Sequence, residues 1–187
     1  DITARKNREE RIAKLGRLYA ILSRVNEAIV HARDADELFP QVCRIITEIG
    51  GFPLVWIGEV RGRRIVPVAS AGPARGYLDD VCIEIDGPLG AGPGGTCIRE
   101  DRTAINDDFS VNPCTAPWRE GALRHGFLAS ACLPLRRAGR PVAELTLYAR
   151  EAGTFDVEQI ALLESLAADL SYALDAFEAE RERRRAE

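Results

Sequence analysis

The chain has 187 residues, 46% of them hydrophobic and 29% charged, and a net charge of −4 from 25 basic and 29 acidic side chains. That balance predicts one soluble domain with a sizeable core; it offers no basic field for nucleic acid or an anionic membrane. It also contains no apolar run of the ~18 to 20 residues needed to insert into a membrane. Five cysteines, Cys43, Cys82, Cys97, Cys114 and Cys132, are an odd number without a Cys-x-x-Cys pair, so reduced thiols in a cytoplasmic protein are expected. There is no Met, no apolar leader, and both ends are charged and helix-like, which reads as a segment of a longer protein.

From Ile12 to Ile29 the residues Ile12, Leu15, Tyr19, Leu22, Asn26 and Ile29 follow the three-four alternation of a heptad seam on a long helix, with Leu18, Ile21 and Val25 as a second apolar stripe. A second helix is expected over Leu38 to Ile49, introduced by Asp36 and stopped by Gly50-Gly51, with Pro40 near its first turn. The period then shifts to two. Strands are expected at Leu54 to Val60, Arg64 to Ser70, Val81 to Ile85, Arg102 to Asn106, Phe127 to Leu135 and Val142 to Ala149. Arg61-Gly62-Arg63 and Arg137 to Arg140 are short enough to be hairpin turns, so two strand pairs should be antiparallel. Short helical runs end the Gly/Pro-rich stretch from Gly87 to Glu100 and occupy Ala116 to His125. A last long helix, capped by Asp156, carries Ile160, Leu163, Ala167, Leu170, Leu174 and Phe177. The sum is an α+β fold with long terminal helices on one face of an antiparallel sheet and short segments on the other.

The order of these elements and several local motifs resemble a GAF domain, a small-molecule sensing module of bacterial signalling proteins. The matching stretches are Gly51 to Gly58, Ala69 to Gly72 with Gly76-Tyr77-Leu78, Gly90 to Thr96, Ile105-Asn106-Asp107, Asn112-Pro113 with Pro117-Trp118-Arg119, Leu133-Pro134-Leu135 and Thr154-Phe155-Asp156. The resemblance is greatest to GAF domains joined to PAS, GGDEF, EAL or histidine-kinase modules. It implies a six-stranded antiparallel sheet, a ligand cavity on the face away from the terminal helices, and a homodimer built by those helices. On that frame residues 1–33 are a dimerisation and signalling helix, 34–155 the sensing core, and 156–187 a helix and connector to an attached output enzyme of cyclic-di-GMP turnover or histidine-kinase type.

Trp56, Tyr77, Asp107, Trp118, Arg119, Thr146 and Tyr148 are the candidates for lining the cavity. The resemblance supplies the loop positions; Thr146 and Tyr148 come from strand alternation, which puts Ala143, Leu145 and Leu147 on the opposite face. Trp118 and Arg119 open a short helix, where a ring and a guanidinium would suit a small polar ligand, or would simply lid a loop and meet solvent. Glu144 departs from the GAF pattern; it would either read a ligand amine or, as its charge favours, sit at an exposed strand end. His125 at a helix C-terminus would complement the dipole rather than bind haem. Asp107, Asp108, Cys114 and His125 resemble in type the iron ligands of some nitric-oxide-sensing relatives, without a ligand spacing. No cofactor is required by the sequence. Free methionine-R-sulfoxide reductases are also GAF domains, but Gly94-Gly95-Thr96-Cys97 lacks their Val-Cys-Gly order and no resolving pair stands out, so the expectation is a non-catalytic sensor. A ligand-free dimerisation module is the alternative.

Overall fold

A computed structural model describes residues 1–187. Five helices, α1 (Ile2–His31), α2 (Ala35–Gly50), α3 (Pro93–Glu100), α4 (Ala116–Arg124) and α5 (Val157–Ala186), surround six strands. The strands are β1 (Leu54–Arg61), β2 (Arg64–Ala71), β3 (Ile83–Glu84), β4 (Ala104–Asn106), β5 (Ala129–Arg137) and β6 (Arg140–Ala149). They form one antiparallel sheet in the order β3-β2-β1-β6-β5-β4, with β1–β2 and β5–β6 as the expected hairpins. Two strands are shorter than their sequence suggests: of Val81 to Ile85 only Ile83–Glu84 pairs, and of Arg102 to Asn106 only Ala104–Asn106.

Local chemistry sets the helix ends. The α2 cap is Asp34, not Asp36: its Oδ1 accepts the Glu37 N–H at 2.8 Å. The helix stops at Gly51, whose φ of 72° lies in the left-handed region that glycine adopts without steric cost. Asp156 caps α5 by accepting the Gln159 N–H at 2.9 Å, as its position predicted.

The main core lies between the sheet and α1, α2 and α5. Val55 and Ile57 of β1, Leu145 and Leu147 of β6, and Ala131, Leu133 and Leu135 of β5 meet Val42 and Ile46 of α2, Ile21 and Val25 of α1, and Leu163 and Leu170 of α5. Each such aliphatic side chain, fully removed from water, contributes roughly 1.5 to 3 kcal/mol. Of the two stripes on α1, Leu18, Ile21 and Val25 pack in the core, while in the heptad seam Leu22 and Ile29 are partly buried against it and Ile12 and Tyr19 are exposed. Asn26 of that seam bonds Asp169 of α5 at 2.9 Å. Together with an Arg11–Glu158 ion pair this shows that α1 and α5 run parallel, side by side. The first turns of α1 therefore precede α5 at one end of the domain, and the Arg-rich end of α5 continues beyond α1 at the other. No helix is long and apolar enough to cross a membrane.

Candidate functional site

The opposite face of the sheet carries a second, smaller core that includes Leu54, Trp56, Tyr77, Phe109, Trp118, Phe127 and Tyr148. Strand period decides which side chains reach it. Across β1, β6 and β5 the register aligns Trp56 with Thr146 and Cys132, Leu54 with Tyr148 and Ser130, and Gly58 with Glu144 and Pro134. All point away from the terminal helices, as alternation predicted for Thr146 and Tyr148. The missing side chain at Gly58 is what admits the Trp56 ring, since a Cβ there would stand 2.5 Å from Trp56 Cζ3.

A narrow pocket of about 20 Å³, about the room one water molecule needs, lies over these strands and is partly open to solvent. Its walls are Trp56, Tyr77, Ile83, Phe109, Trp118 and Tyr148, with Pro93 and Gly94 of α3 above, and Ser130, Cys132, Glu144 and Thr146 below. The lid is tied down by its own hydrogen bonds. Trp118 Nε1 donates to the Cys82 carbonyl at 3.1 Å, and its ring packs so closely on the α3 cap that a Cβ at Gly92 would lie 2.3 Å from Cζ3. Trp56 Nε1 donates to the Tyr148 hydroxyl at 3.2 Å, and Tyr148 stacks on Phe127 with ring centroids 4.7 Å apart. Both tryptophans of the chain thus face one pocket.

Glu144 is the anomaly at its floor. It is fully buried, where the sequence favoured an exposed strand end. The reason is topological: β6 lies in the middle of the sheet, and the first turn of α3 covers Glu144 so closely that a Cβ at Gly94 would sit 3.0 Å from Oε1. The Thr146 hydroxyl donates to Oε1 at a long 3.4 Å, and Oε2 has no partner. Burial pushes the carboxyl up to about 8, opposed by the Thr146 hydrogen bond. A buried acceptor without a donor is costly unless something else supplies one.

Five of the seven candidates from the sequence line this pocket: Trp56, Tyr77, Trp118, Thr146 and Tyr148. Asp107 does not; it is exposed, and its carbonyl accepts the Gly153 N–H at 3.0 Å. Arg119 does not either. Its Nε donates to the Phe109 carbonyl at 2.8 Å and its Nη2 to the Asn112 carbonyl at 2.9 Å, so it braces the loop that presents Phe109 to the pocket. Ser130 and Cys132 went unread, although alternation against Ala129, Ala131 and Leu133 marks them; Phe109 and Gly94 carry no comparable signal.

His125 packs edge-on to Tyr77 with centroids 5.7 Å apart, and its Nδ1 lies 2.9 Å from the Gly121 carbonyl. Cys114 is exposed on its own loop, apart from the pocket. No group of three or more His, Cys, Asp or Glu side chains is placed to hold a metal ion. The thiols are all free, and burial pushes those of Cys97 and Cys132 up, away from the reactive thiolate.

The sequence search against curated proteins found no match. Among solved structures, the chain resembles the free methionine-R-sulfoxide reductase of Neisseria meningitidis, determined in complex with its substrate, at a TM-score of 0.74 and 18% identity over 87% of this chain and 91% of that one. It also resembles the GAF domain of a phosphoenolpyruvate-protein phosphotransferase from Coxiella burnetii, at a TM-score of 0.70 and 15% identity over 90% of this chain and 98% of the other. A domain of a putative two-component sensor histidine kinase protein from Sinorhizobium meliloti matches at a TM-score of 0.62 and 18% identity over 80% of this chain and 96% of that one. The reductase likeness corrects the expectation of a non-catalytic domain: a structure this similar is an enzyme, so the fold does not argue against catalysis. The sequence profile of the GAF domain matches residues 32–175, which takes in both strand hairpins, the pocket and most of α5, and the chain belongs to the GAF family.

Proposed function

We propose that this GAF domain binds a small molecule in the pocket beneath Trp118 and passes the bound state through α1 and α5 to an attached signalling enzyme. The observation that carries the reading is Glu144: a fully buried carboxyl with a free oxygen, on the floor of a pocket walled by both tryptophans. Such a group is expensive in a closed core and useful in a binding site. Parallel terminal helices that extend beyond the sheet at opposite ends suit through-transmission, and the exposed Tyr19 and Tyr172 beside them are the surface on which a second copy would pair. A thermal-shift screen of nucleotides, amino acids, amines and organic acids tests it. Binding predicts compounds that stabilise the wild type and not Glu144→Gln or Trp118→Ala; stabilisation unchanged by either substitution, or by no compound at all, favours a ligand-free dimerisation module.

A second reading is favoured by the thiols: Cys132 lines the pocket and Cys97 shares a small cluster with it. Reduction of a sulfoxide such as free methionine-R-sulfoxide would consume two thiols, form one disulfide and release the sulfoxide oxygen as water. Release of free methionine in the presence of dithiothreitol, lost in Cys132→Ala, supports this reading; release unaffected by the substitution, or none, removes it.

A further inference from the structure

We infer that the ligand of this pocket is a small organic cation with N–H donors, a primary ammonium above all, held by the Glu144 carboxylate among aromatic faces. The inference rests on the reading of the pocket as a small-molecule site and adds the chemical class. Three observations carry it. First, the lining contains one carboxyl and no Lys, Arg or His, so the pocket has a partner for a cation and none for an anion. Second, no donor of the lining reaches Oε2, the Tyr77, Tyr148 and Ser130 hydroxyls included. Trp56 Nε1 is on the Tyr148 hydroxyl, Trp118 Nε1 on the Cys82 carbonyl, and the Thr146 hydroxyl is shared between Cys132 Sγ and Glu144 Oε1, each at 3.4 Å. Once Glu144 is ionised, Oε2 therefore needs its donor from outside the protein, and a neutral apolar ligand brings none. Third, with those N–H groups engaged, the rings of Trp56, Tyr77, Phe109, Trp118 and Tyr148 present aromatic surface to the pocket, which attracts a desolvated cation.

The surroundings make the charge exchange clean. The titratable groups packed round Glu144 are Cys132 of β5, Cys97 of α3 and Tyr148 of β6, all of which burial pushes up and so keeps neutral at pH 7. Arg136 and Asp101 pair with each other at 2.7 Å and do not line the pocket. The empty site thus holds a protonated Glu144 until about pH 8, and a bound ammonium displaces that proton to solvent.

The test uses butylammonium, 1-butanol and butyrate, alike in size and different in charge, titrated into the whole chain while the two tryptophan indole N–H resonances are followed. The expectation at pH 7.5 is that butylammonium binds at least about tenfold tighter than either other probe, and that Glu144→Gln removes the preference while leaving 1-butanol unchanged. Its affinity should rise close to tenfold per pH unit from about pH 5.5 to 7.5 and level off above about 8. Equal or tighter binding of 1-butanol or butyrate, a cation affinity independent of pH, or full binding by Glu144→Gln overturns the inference. If 1-butanol alone moves both indole signals, the pocket stands as a binding site and the cationic class falls; if no probe moves them, both fall.

Discussion

Replacing Glu144 by Gln removes the titration and keeps the shape. In the unfolded chain the carboxyl ionises near its ordinary 4.5; in the fold it holds its proton to about 8. Between those values the folded state binds a proton that the unfolded state has released, so stability falls as pH rises through this window and is flat on either side. At about 1.4 kcal/mol per pK unit the full effect is about 5 kcal/mol, an upper bound because relaxation and water entry lower it. Glutamine is neutral throughout, so the variant lacks that fall. The expected result of urea unfolding at pH 5, 6, 7 and 8.5 is that the two proteins differ little at pH 5 and that the variant is roughly 2 to 5 kcal/mol more stable at pH 8.5. Other ionisations are common to both and cancel in the difference. A difference constant with pH within about 0.5 kcal/mol would refute the assignment of Glu144 as a buried, partnerless acid.

Four further outcomes follow from the geometry. Leu170, fully buried against the sheet, should lose about 2 to 5 kcal/mol on Leu170→Ala in the same urea assay, and a loss under 1 kcal/mol would remove it from the core. Timed alkylation with iodoacetamide should modify Cys114 first and Cys43, Cys97 and Cys132 only on unfolding, since Cys114 alone is exposed; equal rates would contradict the burial. Arg119→Ala should speed hydrogen exchange in residues 107–112 with little change at the Trp118 indole, because the guanidinium braces that loop and not the ligand space. If two copies pair through the terminal helices, light scattering should give a dimer for the wild type and a monomer for Tyr172→Glu; a monomeric wild type ends that proposal.

The fold was legible wherever one face of an element is buried. Alternation in Val142 to Ala149 assigns Thr146 and Tyr148 to one face and Leu145 and Leu147 to the other, and the sheet keeps that division. Two neighbouring stripes on α1 were equally legible, but the spacing gives no sign of which one meets the sheet: Leu18, Ile21 and Val25 do, and of the seam Leu22 and Ile29 are only partly buried. Glu144 was misjudged for a related reason: a carboxylate on a strand is exposed or buried according to strand order and to what lies on top, and neither β6's central place nor the α3 cover is local in sequence. Asp107 and Arg119 failed differently. Their place in matching loops said that they lie near the pocket, while the direction of each side chain depends on backbone carbonyls that no pattern reveals.

Both tryptophans of the chain line the one pocket, and their indole N–H groups report on it. The most direct measurement is a ¹⁵N–¹H spectrum of the two indole groups, recorded with each compound that stabilises the protein, in the wild type and in Glu144→Gln. Such a compound should shift both the Trp56 and Trp118 resonances, and for an ammonium compound the shifts should vanish in the variant. A stabilising compound that leaves both indole resonances in place would put the binding site elsewhere on the domain.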